Sequence, residues 1–249
     1  MRAVRILLII GVILGGLFVA ADRLALSMAE SEAAEKIRSS QGLRSTPEVS
    51  IKGFPFLTQV MAKELDEVGI SLQGITATAS GRTVNVTEVR AELVEVKIKD
   101  NYSSAVAARA EGSARISYAD LGKAAPAGAK VGYAGAERAA KGQVKVVGPL
   151  LEVLEGAGIQ VPRTFESLLK GREATVYSTV ELEGGNTVKL KADSLPKLPV
   201  PGFDDEIRRA LDYDLKIEGM PAGLKLDRAE VTEDGLKFTG TGTNVSLVG

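Results

Sequence analysis

The chain has no histidine, no cysteine and no tryptophan. Without an imidazole or a thiol it cannot build a Ser–His–Asp or Cys–His nucleophile, and it lacks the side chains that hold most zinc ions. Disulfide bonds and an anchor on a lipid-modified cysteine are excluded for the same reason. Carboxylate chemistry, a Ser–Lys pair and an oxygen-ligated cation are the catalytic classes that remain.

An excess of charge of one sign is also missing, since 31 basic residues stand against 32 acidic ones. No long run of either sign occurs, so nothing indicates a nucleic-acid partner or a polybasic patch for lipid headgroups. An acidic group lies in the last quarter of the chain: Asp204, Asp205, Glu206, Asp212 and Asp214. It lacks the spacing of a calcium-binding loop, and helix capping or solvent exposure explains it better. We therefore expect no metal and no cofactor.

An apolar run over residues 6–21 opens the chain and is closed by Asp22 and Arg23. Sixteen helical residues rise about 24 Å, slightly less than the roughly 30 Å hydrocarbon core of a bilayer. Two arginines precede the run, so the positive-inside rule keeps the N-terminus in the cytosol and sends residues 24–249 across the membrane. The sequence thus predicts contact with the membrane through residues 6–21.

The apolar run is either a signal peptide removed near Ala21 or a retained single-span anchor. Small residues at 19–21 could be recognised by a signal peptidase. Residues 24–29 (LALSMA) instead prolong the helix and favour retention. The predicted organisation has three parts: a signal anchor or signal peptide over 1–23, an amphipathic helix over 24–44 that leads into the domain, and a single mostly-β domain over 45–249.

The spacing of apolar residues after Arg23 predicts an amphipathic helix over residues 24–41. Its apolar positions recur at three- and four-residue steps, at Leu26, Ala29, Ala33 and Ile37. Gly42 is placed to end the helix. The helix could be a spacer that lifts the domain off the membrane, or its apolar stripe could pack on the domain. Packing is favoured, because an apolar face is costly in water.

From residue 48 onward, alternating apolar residues predict about nine or ten antiparallel strands. The alternation slips by one position after Leu93, as a β-bulge would produce. Turns are predicted at 183–186 and 233–235. Short helices are predicted at 118–124, 150–156, 164–170 and 205–211, with Thr164 and Asp204 as caps. The fold class is therefore α+β, with an N-terminal membrane helix and then one antiparallel, curved or barrel-like sheet.

Two loops are unusually apolar and contain proline. The first holds Phe54, Pro55, Phe56 and Leu57, and the second holds Leu198, Val200 and Phe203. Such loops could simply close the ends of a barrel, because apolar loop residues are usually buried. Alternatively they form a rim where an acyl chain enters or the domain touches the bilayer. The sequence of the two loops leaves both possibilities open.

At Gly53–Gln59 (GFPFLTQ), at Ile116–Leu121 and along Leu236–Leu247, the chain resembles the LmeA-like phospholipid-binding proteins of actinobacterial cell envelopes. The resemblance implies phospholipid binding outside the cytoplasmic membrane and support of envelope glycolipid assembly. It also implies a fold of the bactericidal/permeability-increasing type (BPI/TULIP-like), in which a curved sheet wraps a long helix. The family motif carries over at residues 54–57, and no catalytic residues carry over with it.

The leading hypothesis is a membrane-anchored extracytoplasmic domain that holds phospholipid tails in an aliphatic groove without catalysis. The residues predicted to form the entrance of this groove are Phe54, Pro55, Phe56, Leu57, Leu198, Val200 and Phe203. The first alternative is a non-catalytic module that uses the same apolar loops to bind and scaffold an envelope enzyme. The second is a carboxylate-dependent hydrolase of lipid or glycan. The scarcity of aromatic residues, eleven in all, is compatible with an apolar tunnel inside an aliphatic β-structure.

Overall fold

The structure is a computed structural model, and it describes residues 2–40, 42–79, 82–99, 104–125, 129–156, 161–194 and 212–248. These residues form eleven strands and six helices. In chain order they are α1 (Arg2–Ser40), β1 (Glu48–Lys52), α2 (Phe56–Ala62), β2 (Glu64–Ala79), β3 (Arg82–Lys99), β4 (Ser104–Ser117), α3 (Tyr118–Ala124), β5 (Lys130–Tyr133), α4 (Ala136–Ala139), β6 (Gln143–Pro149), α5 (Leu150–Gly156), α6 (Arg163–Leu169), β7 (Glu173–Glu183), β8 (Thr187–Ser194), β9 (Tyr213–Lys216), β10 (Leu224–Thr232) and β11 (Gly235–Val248).

The apolar run and the amphipathic segment form one unbroken helix, α1. Its first part is long and apolar enough to cross a membrane and packs against nothing in the described structure, although a signal sequence would have the same properties. The helix ends as predicted, because Gly42 adopts a positive φ of 61° and the backbone N–H of Leu43 donates to the carbonyl of Arg38 at 2.9 Å.

The second half of α1 packs on the domain, which confirms packing over a free spacer. Leu26, Ala29, Ala33 and Ile37 lie against buried residues of the first sheet. A hydrogen bond fixes the helix at the edge of that sheet, since the Glu30 carboxylate accepts the backbone N–H of Ile51 in β1 at 2.8 Å. The long helix α1 and the domain are thereby joined by both apolar and polar contacts.

The strands form two antiparallel sheets, so the prediction of one sheet is wrong. Sheet 1 has six strands in the order β1-β2-β3-β4-β11-β10, and sheet 2 has five in the order β5-β6-β7-β8-β9. Within the described residues neither sheet closes into a barrel. The curvature of a sheet around the long helix stays a prediction. The order of the strands along the chain does not reveal this division. Strand β11 returns to pair with β4 (Gly235 opposite Ser117), so the last two strands belong to the first sheet.

The predicted slip of the alternation in β3 is confirmed, and β2, β4 and β11 share it, but the predicted β-bulge at this point is wrong. Leu93 and Val96 are both buried in the same core, and Glu95 between them has a positive φ of 54°. The pairing of β3 with β2 and β4 nevertheless keeps its register across this point. Register is kept because the neighbouring strands slip at the same level. Each of them also buries two residues three positions apart in that core, namely Leu65 and Val68 in β2 and Ala107 and Ala110 in β4. Strand β11 does the same at Asn244, which has a positive φ of 51°.

The local predictions are mostly confirmed. The turns at 183–186 and 233–235 join β7 to β8 and β10 to β11. Helices α3 and α5 have the predicted bounds, and α6 begins one residue early. The predicted cap at Thr164 is wrong, because Pro162 occupies the N-cap position and no side chain caps the helix. The helix predicted at 205–211 and its cap Asp204 lie outside the described residues.

One face of sheet 1, which we call the inner face, is covered at both ends. At one end, the second half of α1 and helix α2 cover it and form the helix core, which includes Phe56, Leu93 and Val245. At the far end, sheet 2 and α3 cover it and form the sheet core, which includes Leu236 and Val144. Two backbone hydrogen bonds link sheet 1 to segments beside sheet 2. The N–H of Glu218, after β9, donates to the carbonyl of Thr78 in β2 (3.2 Å), and the N–H of Leu226 in β10 donates to the carbonyl of Gly185 in the turn between β7 and β8 (2.8 Å).

Candidate functional site

The predicted entrance segment 54–57 lies between β1 and α2, and its side chains separate. Phe54 is 60% exposed, whereas Phe56 is buried in the helix core. Pro55, which follows a cis peptide bond, and Leu57 are half-buried. Of the two phenylalanines in the motif, Phe54 is therefore the one that can meet a ligand or a membrane from outside, while Phe56 stabilises the fold.

The residues that flank this segment fix its path. Gly53 has a positive φ of 102°, and a Cβ there would lie 2.5 Å from Oδ2 of Asp66 and would also overlap the amide of Gln59. The Gln59 side chain is buried; its Nε2 donates to the carbonyl of Lys52 (3.3 Å) and its Oε1 accepts the N–H of Asp66 (2.9 Å). The motif GFPFLTQ is thus a built loop in which glycine and glutamine are required by space and hydrogen bonding.

A residue of α1 holds the start of α2. Asp22 is completely buried, and its Oδ1 accepts the backbone N–H of Leu57 at 2.9 Å. Helix α2 has no side-chain cap of its own, since Pro55 stands at its N-cap. The other carboxylate oxygen of Asp22 accepts two hydrogen bonds from Arg23, at 2.6 and 3.2 Å, and the Arg23 guanidinium lies 5.2 Å from the Phe54 ring centroid. The end of the apolar run and the GFPFL loop therefore form one cluster.

Sequence reasoning missed the role of Asp22, which was interpreted only as the polar end of the apolar run. Its partner lies 35 residues further along the chain, so no local spacing reveals the contact. The available signal was indirect. Helix α2 was not predicted, and Pro55 at its N-cap offers no capping side chain, so its first backbone donors need an acceptor from elsewhere.

The middle of the inner face of sheet 1 carries a second candidate surface, which we call the mid-sheet strip. It consists of half-buried aliphatic or small residues that belong to neither core: Leu72, Val89, Ala91, Gly112 and Ala114. Pairing aligns them across β2, β3 and β4, with Leu72 opposite Val89, Val89 opposite Ala114, and Ala91 opposite Gly112. The small side chains keep this part of the face shallow, and it stays partly exposed.

The opposite face of the same strands is polar. Glu88 lies between two arginines, 2.5 Å from Arg90 and 4.0 Å from Arg115. Because neighbouring residues of a strand point to opposite faces, this charged face faces solvent while the mid-sheet strip faces inward. The strip therefore lies on the apolar side, between the helix-covered end and the sheet-covered end.

The other predicted residues have structural partners or lie outside the described residues. Leu198, Val200 and Phe203 of the second loop lie outside them, as do Asp204, Asp205 and Glu206. Oδ1 of Asp212 accepts the backbone N–H of Ala192 at 2.9 Å, and Asp214 lies 3.7 Å from Lys189. These two acids therefore have roles in the fold. No group of three acidic residues suited to a metal occurs within the described parts of the chain.

Asp120, a carboxylate that a hydrolase could use, is engaged in a local cap. It accepts hydrogen bonds from Lys123 (2.7 Å), from the Ser117 hydroxyl (2.7 Å) and from Asn85 (3.2 Å). The Lys123 ammonium, followed by the Ser117 hydroxyl, holds the pKa of the Asp120 carboxyl below its ordinary value. A carboxylate held ionised by its own helix is suited to capping and poorly suited to donate a proton.

A family model described as LmeA-like phospholipid-binding matches residues 20–241 of the chain. The match begins two residues before Asp22 and includes the GFPFL loop and the mid-sheet strip. No curated protein and no solved structure matches the chain.

Proposed function

Since the chain belongs to the LmeA-like phospholipid-binding family, we propose that it is a membrane-anchored, extracytoplasmic protein that binds phospholipid on the inner face of sheet 1 without catalysis. In this proposal it supports lipid or glycolipid assembly or transport in the cell envelope. The lipid is the ligand, and the protein contributes burial of the tails.

The mid-sheet strip is the observation that carries this proposal. Its aliphatic side chains are partly exposed on the apolar face of the sheet, between two cores that are closed. An apolar face of this kind gains free energy when hydrocarbon covers it, at about 0.8 kcal/mol for each methylene removed from water. Glycine at 112 and alanine at 91 and 114 keep the side chains of this part of the face small, and in this proposal the tail lies over them.

We propose that the tail enters from the membrane end, where Phe54, Pro55 and Leu57 lie beside α1. Phe56 supports this loop from within the core. The second apolar loop, with Leu198, Val200 and Phe203, keeps its predicted place at the entrance as part of the proposal. Strand β2 runs from the membrane end to the strip, because Leu65 belongs to the helix core and Leu72 to the strip.

Retention of the anchor is supported by the way α1 enters the domain. The helix continues through Ala21 and Asp22 without a break, and Asp22 is used as the cap of α2. In this proposal Arg2 and Arg5 stay on the cytosolic side, as the positive-inside rule favours, and the domain lies outside the cytoplasmic membrane. Intact mass measurement of the membrane-extracted protein tests this part. A chain that starts at Asp22 would show that the run is a cleaved signal.

Lipid extraction from the full chain tests the binding function. The protein is extracted in a mild detergent, exchanged into nanodiscs free of the native lipids, and assayed for bound lipid by mass spectrometry and for uptake of a fluorescent phosphatidylglycerol. We expect co-purified phospholipid and saturable uptake. Protein that arrives empty and takes up no labelled lipid would contradict the proposal.

Phe54→Asp separates lipid binding from the scaffolding of an envelope enzyme. If Phe54 belongs to the lipid entrance, the substitution slows lipid uptake, because the apolar tail must then move past a charged carboxylate. Loss of a co-purifying protein with unchanged uptake would instead support the scaffold function. A conservative Phe54→Leu variant serves as the control, since it keeps an apolar side chain at the same place.

A further inference from the structure

The apolar run is shorter than the hydrocarbon core of a bilayer is thick. Residues 6–21 rise about 24 Å, whereas the hydrocarbon core is about 30 Å thick. If the span starts at Ile6, the hydrocarbon ends about four residues beyond Ala21 and therefore above the Asp22–Arg23 pair. A short span can be matched by a thinner bilayer, or the protein itself can supply more apolar surface.

The Asp22–Arg23 pair does not require water around it. The Asp22 carboxylate is fully buried and is satisfied by Arg23 and by the N–H of Leu57. Arg23 covers the face of the Phe54 ring with its guanidinium, and long basic side chains can direct their charge toward the interface. A paired and hydrogen-bonded charge costs far less at low dielectric than an isolated one. The pair is therefore not a boundary of the apolar surface.

Exposed apolar side chains continue beyond this pair. On the outer face of α1, Leu24 and Met28 are 68% and 73% exposed. Apart from α1, three large apolar side chains are exposed in the described residues: Phe54 (60%), Met61 (84%) and Leu168 (46%). Two of these three belong to the GFPFL loop and α2, which Asp22 holds against the anchor. Exposed apolar surface thus concentrates where the chain leaves the membrane.

We propose that the outer surface of the bilayer lies on the domain side of Asp22. The membrane interface would then contain α2, the Phe54 loop and the first two turns of α1 after the Asp22–Arg23 pair. The occupant of this apolar surface is the outer leaflet itself. The inference rests on the anchoring part of the proposed function and is independent of lipid binding by the mid-sheet strip. Its geometric support is continuity, because α2 is bonded to the helix that spans the membrane.

The polar groups of α2 fit such a position. Its first turn donates to Asp22, and the hydroxyl of Thr58 donates to the carbonyl of Pro55 at 2.8 Å. At its end, the N–H of Lys63 donates to the carbonyl of Val60 at 3.0 Å, and the Lys63 carbonyl accepts the N–H of Ile98 at 2.9 Å. These bonds satisfy polar groups at both ends of α2, which lowers the free-energy cost of contact with lipid.

Single-tryptophan reporters test the immersion directly, because the chain has no tryptophan of its own. Met28→Trp, Phe54→Trp and Met61→Trp are prepared separately in the full chain and reconstituted into phosphatidylcholine–phosphatidylglycerol vesicles. Leu168→Trp is the matched control, since it replaces an exposed apolar residue on α6. Emission is recorded with phosphatidylcholine brominated near the headgroup end of its tails, and then with aqueous acrylamide.

We expect the three reporters to emit at shorter wavelength than Leu168→Trp, to lose most of their emission to brominated lipid, and to be protected from acrylamide. Met28 decides between a bilayer and a bound lipid, because it lies on the face of α1 away from the core. If Met28→Trp and Met61→Trp behave like Leu168→Trp in correctly inserted protein, the inference is overturned. Met61→Cys carrying a polarity-sensitive dye gives a second measurement in this cysteine-free chain.

The outcomes separate this inference from the proposed function. Immersed reporters in a protein that takes up no labelled phospholipid would support the inference and contradict lipid binding. Aqueous reporters in a protein that takes up phospholipid would overturn the inference alone. A full chain that alkaline carbonate removes from the vesicles is not anchored, and this result would overturn both the anchor and the immersion.

Discussion

The carboxylate of Asp22 accepts the backbone N–H of Leu57 at 2.9 Å, across 35 residues of sequence. The acidic residue that follows the apolar run thereby caps the helix that begins within the GFPFL motif. Because Asp22 is on the same continuous helix as the apolar run, the cap fixes the domain relative to that run. In the described residues, no flexible linker lies between the apolar run and the point where α2 packs on α1.

Removal of this cap should loosen α2 and lower stability. Asp22→Ala leaves a buried N–H and the Arg23 guanidinium without their acceptor, which costs about 1–3 kcal/mol. Asp22→Asn keeps one acceptor oxygen, so its stability should lie between that of the natural chain and that of Asp22→Ala. Thermal unfolding in nanodiscs and amide hydrogen exchange in α2 measure the effect. Glu32→Ala, at an exposed position of the same helix, is the control. Unchanged exchange in α2 of Asp22→Ala would contradict the role of the cap.

Gly53 should tolerate substitution less well than another glycine with positive φ. Gly53→Ala and Gly171→Ala both place a Cβ in a left-handed conformation, at a backbone cost of roughly 1–2 kcal/mol each. Only Gly53→Ala adds overlap with Gln59 and Asp66, because nothing lies within 4 Å at Gly171. Chemical denaturation of both variants measures the difference. Equal losses of stability would show that the loop can move aside.

Filling the mid-sheet strip should block lipid uptake without unfolding the protein. Ala91→Phe places a ring on the half-buried inner face. Displacing two methylene groups of a tail costs about 1.6 kcal/mol, so we expect the affinity for phospholipid to fall about tenfold. Glu92→Phe puts the same ring at the exposed neighbouring position on the outer face and should bind normally. Equal affinity in the two variants would place the lipid elsewhere.

Acid should remove the stabilising effect of Asp120. The folded pKa lies below the ordinary value of 3.8 because Lys123 and Ser117 donate to the carboxylate. Its contribution is therefore complete above about pH 4 and is lost as the pH falls through the folded pKa. Asp120→Asn should destabilise the protein at pH 7, and the difference from the natural chain should shrink toward pH 3. Urea unfolding at both pH values tests this, with Lys123→Met as a variant that removes the strongest partner.

At position 244, glycine should give a more stable protein than a β-branched residue, which is the reverse of the usual preference in strands. Its positive φ of 51° is tolerated by asparagine and favoured by glycine. Asn244→Gly should be neutral or slightly stabilising, whereas Asn244→Val should cost roughly 1–2 kcal/mol. Thr243→Val, at an exposed position one residue earlier in β11, should change little. Denaturation midpoints of the three variants suffice, and tolerance of valine at 244 would argue against the slip.

Local patterns in the sequence predicted most of the secondary structure. Helices α3 and α5, two turns and the slip at Leu93 follow from the spacing of apolar, glycine and capping residues within a few positions. The strand β5 was missed because it has four residues in a stretch rich in glycine and alanine. The cap at Thr164 failed because Pro162 already fixes the start of that helix.

Long-range relationships could not be predicted in this way. The division into two sheets depends on the pairing of β11 with β4, which no residue type announces. The motif at 54–57 was interpreted as one apolar surface, but its phenylalanines point to opposite environments, since one packs under α1 and the other does not. Asp22 and Gln59 matter through donors that the fold brings to them from other elements.

The shared slip in sheet 1 couples the lengths of four strands. Deleting one residue from β3 alone would turn every side chain beyond the deletion to the other face, while β2, β4 and β11 kept theirs. Buried valines and exposed glutamates would then exchange places along one strand only. Insertions and deletions in this sheet are therefore confined to its turns, or must occur in neighbouring strands together.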